Sequence, residues 1–344
     1  MQSSEEVEKK NRIILSDALP ESYSWINRLK RYEGNPILRP HGRGYCADAL
    51  FNPGATVKDG KVHMICRCIN MSRIPKTEKN WSISTFGKAE SSDGFNFTMS
   101  PEPVAEFDPG EDSRFEGGFE DPRLQKIDDF WMMTYTGVYR EPEGKFHVMT
   151  PGMAAFSRDL EHWEPAGEIL PYRAIAVTDR KIDGKYWAYF GNTGIFPAWS
   201  EDLRNWHYSE TPVLAPRKGL FDSDLCEAAA APLINDDGIL LIYNGNREPG
   251  TAEYYASLVS PSYMPGHPRV FYSVGWALFD RHDPTKLIAR STEPFLSPEK
   301  LYEFFGISDF TCFAQGLVQF DHKWILYYGG ADMRIAAAYA EIQP

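Results

Sequence analysis

Four carboxylic acids stand in sequence surroundings that ordinary surface acids do not have. Asp121 lies in Gly-Gly-Phe-Glu-Asp-Pro-Arg (117–123), and Glu227 in Phe-Asp-Ser-Asp-Leu-Cys-Glu-Ala-Ala-Ala-Ala-Pro (221–232). Asp309 precedes Phe-Thr-Cys-Phe-Ala-Gln-Gly, and Asp332 follows Tyr-Tyr-Gly-Gly-Ala. Two carboxyls on opposite sides of an acetal can cleave it: one protonates the leaving oxygen, while the other directs a nucleophile to the opposite face. Each acid also has a plainer reading. Asp121 could close a turn with Arg123, Glu227 could sit in a buried salt bridge, and Asp332 could be a cap. The alanines at 228–231 imply tight packing, so a carboxylate beside them is desolvated and its pKa is pushed up.

These acids are positioned by a repeated hairpin. Its copies span 54–67, 123–137, 180–192, 232–245 and 317–330, each an apolar strand, a polar turn and a strand rich in aromatic and β-branched residues. Asp-Gly between such strands is a strong hairpin signal, because both turn positions favour φ > 0. The turns at 59, 128, 183, 237 and 321 are 69, 55, 54 and 84 residues apart. Such spacing predicts radial repetition, an all-β five-bladed β-propeller with about four strands per blade, the last strand joining a segment near the N-terminus. Three of the acids then enter repeats on comparable strands and converge on one funnel. A second repeat, Ser-x-Asp-(Gly/Leu)-x-x-aromatic, recurs around Asp93, Asp159 and Asp202; its Asp can satisfy turn amides while the aromatic packs between blades. Residues 1–30 read as an N-terminal extension with a short helix, and 31–344 as one propeller domain.

Composition narrows the partners. A net charge of −12 without a basic stripe excludes nucleic acid, and no apolar run reaches the ~20 residues of a membrane span. The cysteines at 46, 66, 68, 226 and 312 are odd in number and lack metal-ligand spacing. Reduced, buried thiols in the cytoplasm are expected, or in the periplasm if a leader has been removed. No metal or organic cofactor is implied. Aromatic residues at 14% exceed what blade cores need and could stack on sugar rings. Trp81, Tyr254 and Tyr255, in loops 70–82 and 246–256, are candidates for a leaving-group sugar.

Along Asn35-Pro-Ile-Leu, Phe51-Asn52, Glu120-Asp121-Pro-Arg, Lys181-Ile-Asp-Gly-Lys-Tyr and Trp276-Ala-Leu-Phe-Asp-x-x-Asp-Pro-Thr-Lys-Leu-Ile-Ala-Arg-Ser, the chain resembles glycoside hydrolase family 130. That family acts on β-mannosides by phosphorolysis or hydrolysis and has a five-bladed propeller fold. The resemblance runs from about Tyr32 to Ala338. It implies that Asp121 is the acid of an inverting reaction, delivering its proton through the mannosyl 3-hydroxyl, and that Asn52, Arg67 and Asp332 hold sugar. Pro53 replaces the Ser of the family's Asn-Ser pair. The family's phosphorylases hold phosphate with basic residues. Arg173 stands where one has Lys, Cys226-Glu227 where there is a Lys-Ile pair, and Tyr243-Asn244-Gly245 where there is Tyr-His-Gly.

With two cationic partners replaced and a carboxylate added, the expectation is an inverting exo-β-mannosidase for β-1,2-linked mannosides, with linkage open against β-1,4. Asp121 is its acid and Glu227 the base that activates water. Asn52, Arg67, Arg123, Arg173, Tyr243, Asn244, Asp309 and Asp332 are the substrate-binding candidates, and a mannose-containing oligosaccharide is the partner. The oligomeric state is not readable. Two rival readings stay open: a β-mannoside phosphorylase, in which Arg173, Arg67 and Arg180 hold phosphate despite Glu227, and a non-catalytic mannoside-binding propeller.

Overall fold

Every one of the repeated hairpins forms in the computed structural model, which describes residues 19–73, 82–109, 113–140, 148–247 and 271–342. Trp81, Tyr254, Tyr255 and the first 18 residues of the N-terminal segment lie outside the described residues. The hairpin turns close between Lys58 and Lys61, Ile127 and Phe130, Ile182 and Lys185, Asn235 and Gly238, and Phe320 and Lys323. In three of these, both central residues have positive φ: Asp59-Gly60, Asp183-Gly184 and Asp321-His322. That is the backbone twist a two-residue hairpin requires.

The fold is all-β, with the strands gathered into several antiparallel meanders. Ala49–Lys58, Lys61–Ile69, Ser84–Ser91 and Thr98–Pro103 pair in succession, as do Gly118–Ile127, Phe130–Arg140, Gly152–Ser157 and Glu164–Leu170. A single parallel bridge, Ser84 to Gly118, links these two groups. Ala176–Val177 begins a third group that ends at His207–Tyr208. Leu225–Ala228 and Leu233–Asn235 share the partner Gly238–Asn246, which pairs with Tyr272–Phe279. The last group, Cys312–Phe320, Lys323–Gly330 and Arg334–Glu341, is completed by the N-terminal strand Lys30–Arg31, paired with Tyr339 and Ala338.

Apolar clusters sit between consecutive meanders. Phe107, Trp131 and Trp163 belong to the cluster joining the first and second groups; Ala188, Ala198 and Met132 to that joining the second and third; Tyr189 and Tyr243 to that joining the third and fourth. The last group packs on two sides, against Leu240 and Trp276 of the fourth and against Val62 and Met64 of the first. Tyr23, Trp25 and Ile26 of the 3-10 helix Glu21–Arg28 join the former cluster, where Trp25 stacks on Trp324 at 4.8 Å. All five cysteines are buried and unpaired.

The Ser-x-Asp turns use one hydrogen-bonding scheme three times. Asp93, Asp159 and Asp202 accept the backbone N–H groups two and three residues ahead through Oδ1. Ser91, Ser157 and Ser200 accept from the amides two and three residues on. In every copy the accepting serine is the one that opens the Ser-x-Asp pattern: Ser91, Ser157 and Ser200.

The strands entering the first, second and last groups each carry an irregularity at matching places: Phe51 to Gly54, Glu120 to Arg123 and Ala314 to Gly316. They pack without side chains between them. A Cβ on Gly54 would lie 2.6 Å from the Pro122 carbonyl oxygen and 3.1 Å from Arg123 Cα, closer than such atoms can approach. Gly54→Ala should therefore destabilise the protein by about 1–3 kcal/mol and, because it displaces the residue following Asp121, should also lower turnover. Denaturant midpoints and rates measure both; wild-type values for each would mean that these strands are not in contact.

Candidate active site

Asp121 sits in a bulge. Its φ of +53°, and that of Asn52 at +45°, are left-handed values that Asn and Asp tolerate better than most residues. In a regular strand, residues 120 and 121 would face opposite sides. The bulge instead lets Glu120 and Asp121 both reach the same arginines.

Asp121 is 2% exposed. Its Oδ1 accepts from Asn52 Nδ2 at 2.9 Å and from Arg67 Nη1 at 3.4 Å, while Oδ2 accepts from Arg173 Nη2. Glu120 joins the same two guanidiniums, 2.5 Å from Arg67 Nη2 and 3.0 Å from Arg173 Nη2. Arg67 also donates to Ser84 Oγ at 3.0 Å and lies over the Phe51 ring. Burial alone would push the Asp121 pKa up, but Arg173, then Arg67 and the Asn52 hydrogen bond outweigh it and hold the carboxyl well below the usual range.

Glu227, on Leu225–Ala228, is 4% exposed. Its Oε1 lies 3.6 Å from Arg123 Nη2 and 3.9 Å from Arg173 Nε, yet accepts no hydrogen bond. Here burial wins, and the Glu227 pKa is raised despite Arg173 and Arg123. The Oδ1 of Asp332 is likewise sealed from solvent and unpartnered. Burial lifts the Asp332 pKa to about 7, against the pull of Arg67.

The other candidates divide. Arg123 is spent on the backbone: Nε donates to the Ala229 carbonyl at 2.8 Å, Nη2 to Ala228 at 2.6 Å and Nη1 to Asp121 at 3.1 Å. It pins the second group to the fourth. Asn244 is buried and exchanges two hydrogen bonds with the backbone of Ala314. Tyr243 is buried between the third and fourth groups and donates to Asp222 Oδ2 at 2.7 Å. Asp309 accepts from the Gly306 amide in the loop ahead of Cys312–Phe320. Arg180 is exposed and pairs with its neighbour Asp179, away from the acids. Asn52, Arg67, Glu120, Asp121, Arg123, Arg173 and Glu227 thus come together, with Asp332 coupled electrostatically to Arg67 and Asp121.

Sequence reasoning missed Tyr272 and Gln315. Tyr272 feels the charges of Glu227 and Asp332 beyond the dominant effect of burial, which raises its pKa. Gln315 Nε2 donates to the carbonyls of Asn52 at 2.8 Å and Pro122 at 2.6 Å, tying both bulges together. Glu120 was visible as part of its motif, but regular strand alternation would turn it away from Asp121, and only the bulge brings both onto the same arginines.

Residues 20–344 match the family model for glycoside hydrolase family 130, described as beta-1,4-mannooligosaccharide phosphorylase. The chain belongs to this family. Within it, the chain is 31% identical over 320 residues to a 1,2-beta-oligomannan phosphorylase of Thermoanaerobacter sp. (strain X514), covering 92% of this chain and 98% of that protein. It is 32% identical over 321 residues to a beta-1,2-mannobiose phosphorylase of the same organism, covering 91% and 97%. A solved structure from "the GH130 family of mannoside phosphorylases", which "contains glycoside hydrolases that target beta-1,2 mannosidic linkages in Candida mannan", aligns with a TM-score of 0.77 at 30% identity, covering 92% of this chain and 96% of that one. Family 130 enzymes act on β-mannosides.

The named relatives correct the expectation of a mannosidase: they are phosphorylases. The inference from Cys226-Glu227 assumed an ionised carboxylate that repels phosphate. In the fold Glu227 is buried, its pKa is raised, and two guanidiniums lie beside it.

The raised Asp332 pKa makes a stability prediction. Between the ordinary 3.8 and about 7 the folded protein holds a proton that the unfolded chain releases. The penalty is absent below this window and complete above it. Asp332→Asn, which cannot ionise, should add about 1–3 kcal/mol near pH 8 and little near pH 4. Denaturant melts at both pH values check this; equal effects would mean that the carboxyl does not titrate in the window.

Proposed function

We propose that this protein is an inverting β-mannoside phosphorylase, acting on β-1,2-linked mannosides and releasing α-mannose 1-phosphate. The observation that carries the reading is the pair Arg67 and Arg173, both on Asp121 and both bridged by Glu120, in a chain whose named relatives at 31% and 32% identity are β-1,2-mannoside phosphorylases.

The site's place rests on a fuller version of the fold, a five-bladed propeller. Two facts support it: the apolar clusters run from each meander to the next and from the last back to the first, and one cavity of about 400 Å³ is lined by Thr56, Leu124, Leu233 and Leu317 from four of the hairpin repeats and by Asp179, the residue just before the remaining one. Gln315 lines that cavity and binds the Asn52 and Pro122 carbonyls, so it would stopper the axis beneath the acids. Asp121 would then stand at the floor of the opposite funnel.

In the reaction, a phosphate oxygen attacks the anomeric carbon on the face opposite the leaving sugar. The C1–O–P bond forms as the glycosidic C1–O bond breaks, and the departing oxygen takes a proton originating on Asp121, relayed through the mannosyl 3-hydroxyl. Arg67 and Arg173 hold Asp121 ionised in the free site. A phosphate that binds these guanidiniums neutralises their field, so Asp121 regains its proton as the nucleophile arrives. Asn52 and Asp332 face the mannosyl hydroxyls. No metal or organic cofactor takes part in this scheme, and localisation is proposed as cytoplasmic.

Incubation with β-1,2- and β-1,4-mannobiose, with and without phosphate, should give phosphate-dependent mannose 1-phosphate, with the β-1,2 substrate preferred. Phosphate-independent mannose release, or no turnover, would overturn the reading. Asp121→Asn keeps the shape but carries no transferable proton, so kcat should fall by roughly 10²–10⁴; a rate within a few-fold of wild type would exclude it as the acid.

A further inference from the structure

Glu227 occupies the place where phosphate would be expected to meet a cation, and its surroundings show how both can coexist. The neighbouring guanidinium of Arg123 has its three nitrogens committed to the carbonyls of Ala228, Ala229 and Asp121. Arg173 Nη2 is committed to Asp121 and Glu120. What remains between them is a pair of buried atoms without partners, Glu227 Oε1 and Arg173 Nε, 3.9 Å apart. That separation is too long for a direct hydrogen bond, and each atom needs a partner.

We propose that Glu227 binds phosphate as a neutral hydrogen-bond donor, its Oε1–H and the Nε–H of Arg173 converging on one phosphate oxygen. This rests on the phosphorylase reading above. An ionised Glu227 could only accept, and would face the phosphate oxygens with like charge. The protonated carboxyl replaces a cationic ligand by a donor of no net charge.

The charge balance favours the same state. Three guanidiniums (Arg67, Arg123 and Arg173) face four carboxyls (Glu120, Asp121, Glu227 and Asp332). The site already has an excess of acid before any anion enters, so an arriving dianion draws protons onto the groups least able to stay ionised. Glu227 is one: burial raises its pKa, Asp121 and Glu120 add to the rise, and Arg173 and Arg123 only partly oppose it. The Tyr272 hydroxyl, on the strand Tyr272–Phe279, is also pushed up by burial and by Glu227 itself, so it supplies no competing charge. For Glu227 no added reactant is needed: one proton from solvent joins it as the anion binds and returns when mannose 1-phosphate leaves, separately from the proton that Asp121 takes up from solvent and passes to the departing sugar.

Sulfate is the probe, because it offers the same tetrahedral oxygens without titrating in the range studied. Its affinity is measured by calorimetry across about pH 5–8, in buffers of differing ionisation enthalpy. Wild type should take up one proton more with sulfate than Glu227→Gln does, so its affinity should fall by as much as roughly tenfold more per pH unit on the alkaline side. Glu227→Gln, which donates through its amide at every pH, should keep the affinity that wild type shows at the acidic end and lose that share of proton uptake. Infrared difference spectra of wild type should gain, on sulfate addition, a protonated-carboxyl stretch that the variant lacks, beyond any stretch from Asp121 that both proteins share. The inference is overturned if Glu227→Gln shows the pH dependence of wild type, loses sulfate binding, or binds more tightly by one constant factor at every pH, the mark of a fixed negative charge. A missing carboxyl stretch would overturn it in wild type alone. Mannose 1-phosphate formation by the same preparation separates the two levels: if it forms while these results fail, only the role of Glu227 falls; if none forms, the phosphorylase reading falls as well.

Discussion

A carboxylate that is 2% exposed cannot remain ionised without partners, and the architecture supplies them to Asp121 from several directions. Asn52 and Arg67 come from the first meander, Arg173 from the segment ahead of the third. Behind it, Arg123 reaches the fourth through the Ala228 and Ala229 carbonyls, and Gln315 of the last ties down the Asn52 and Pro122 carbonyls. Removing one partner from such a buried network leaves an uncompensated charge, so its members stand or fall together. The inner strands are therefore held in register by the same bonds that set the charge of the site.

Bulges make that convergence geometrically possible. A regular strand shows only alternate residues to one side, which would give each entering strand one side chain here and lose the next. At Asn52-Pro53 and Asp121-Pro122 a left-handed residue interrupts alternation. Such a conformation costs on the order of 1–3 kcal/mol for a non-glycine residue. The hydrogen bonds of Gln315 and Arg123 to the adjoining carbonyls offset it, and Gly329 leaves room for the Asn52 side chain, since a Cβ there would lie 2.3 Å from Asn52 Oδ1.

The acids differ in charge because their partners differ. Asp121 has donors on both oxygens and stays ionised. Glu227 is buried and Asp332 half-buried, each with a sealed oxygen that has no donor, and desolvation raises the pKa of both. Such divergence lets neighbouring carboxyls in one pocket carry different charge at one pH. It also makes the arginines shared property: whatever anion engages Arg173 weakens its hold on Asp121.

Much was legible in the sequence, because hairpins and Asx-type turns are local. The turns at 59, 128, 183, 237 and 321 and the Asp93, Asp159 and Asp202 motifs fold through residues only a few positions apart, so their chemistry is written in short segments. The Glu120-Asp121-Pro-Arg motif and its family were readable for the same reason. What depended on long-range approach was not. Arg123 and Asn244 looked like substrate ligands and are bonded to backbone of other repeats, while Tyr243 is sealed against Asp222. The alanines beside Glu227 signalled its desolvation, but not the guanidiniums of Arg173 and Arg123 that oppose it, residues 54 and 104 positions away. Sequence alone determined the β hairpins and singled out Asp121 in its Glu-Asp-Pro-Arg motif. Tertiary structure decided which charges share a pocket, because desolvation and ion pairing depend on what lies within a few ångströms in space and not on what lies nearby in the chain.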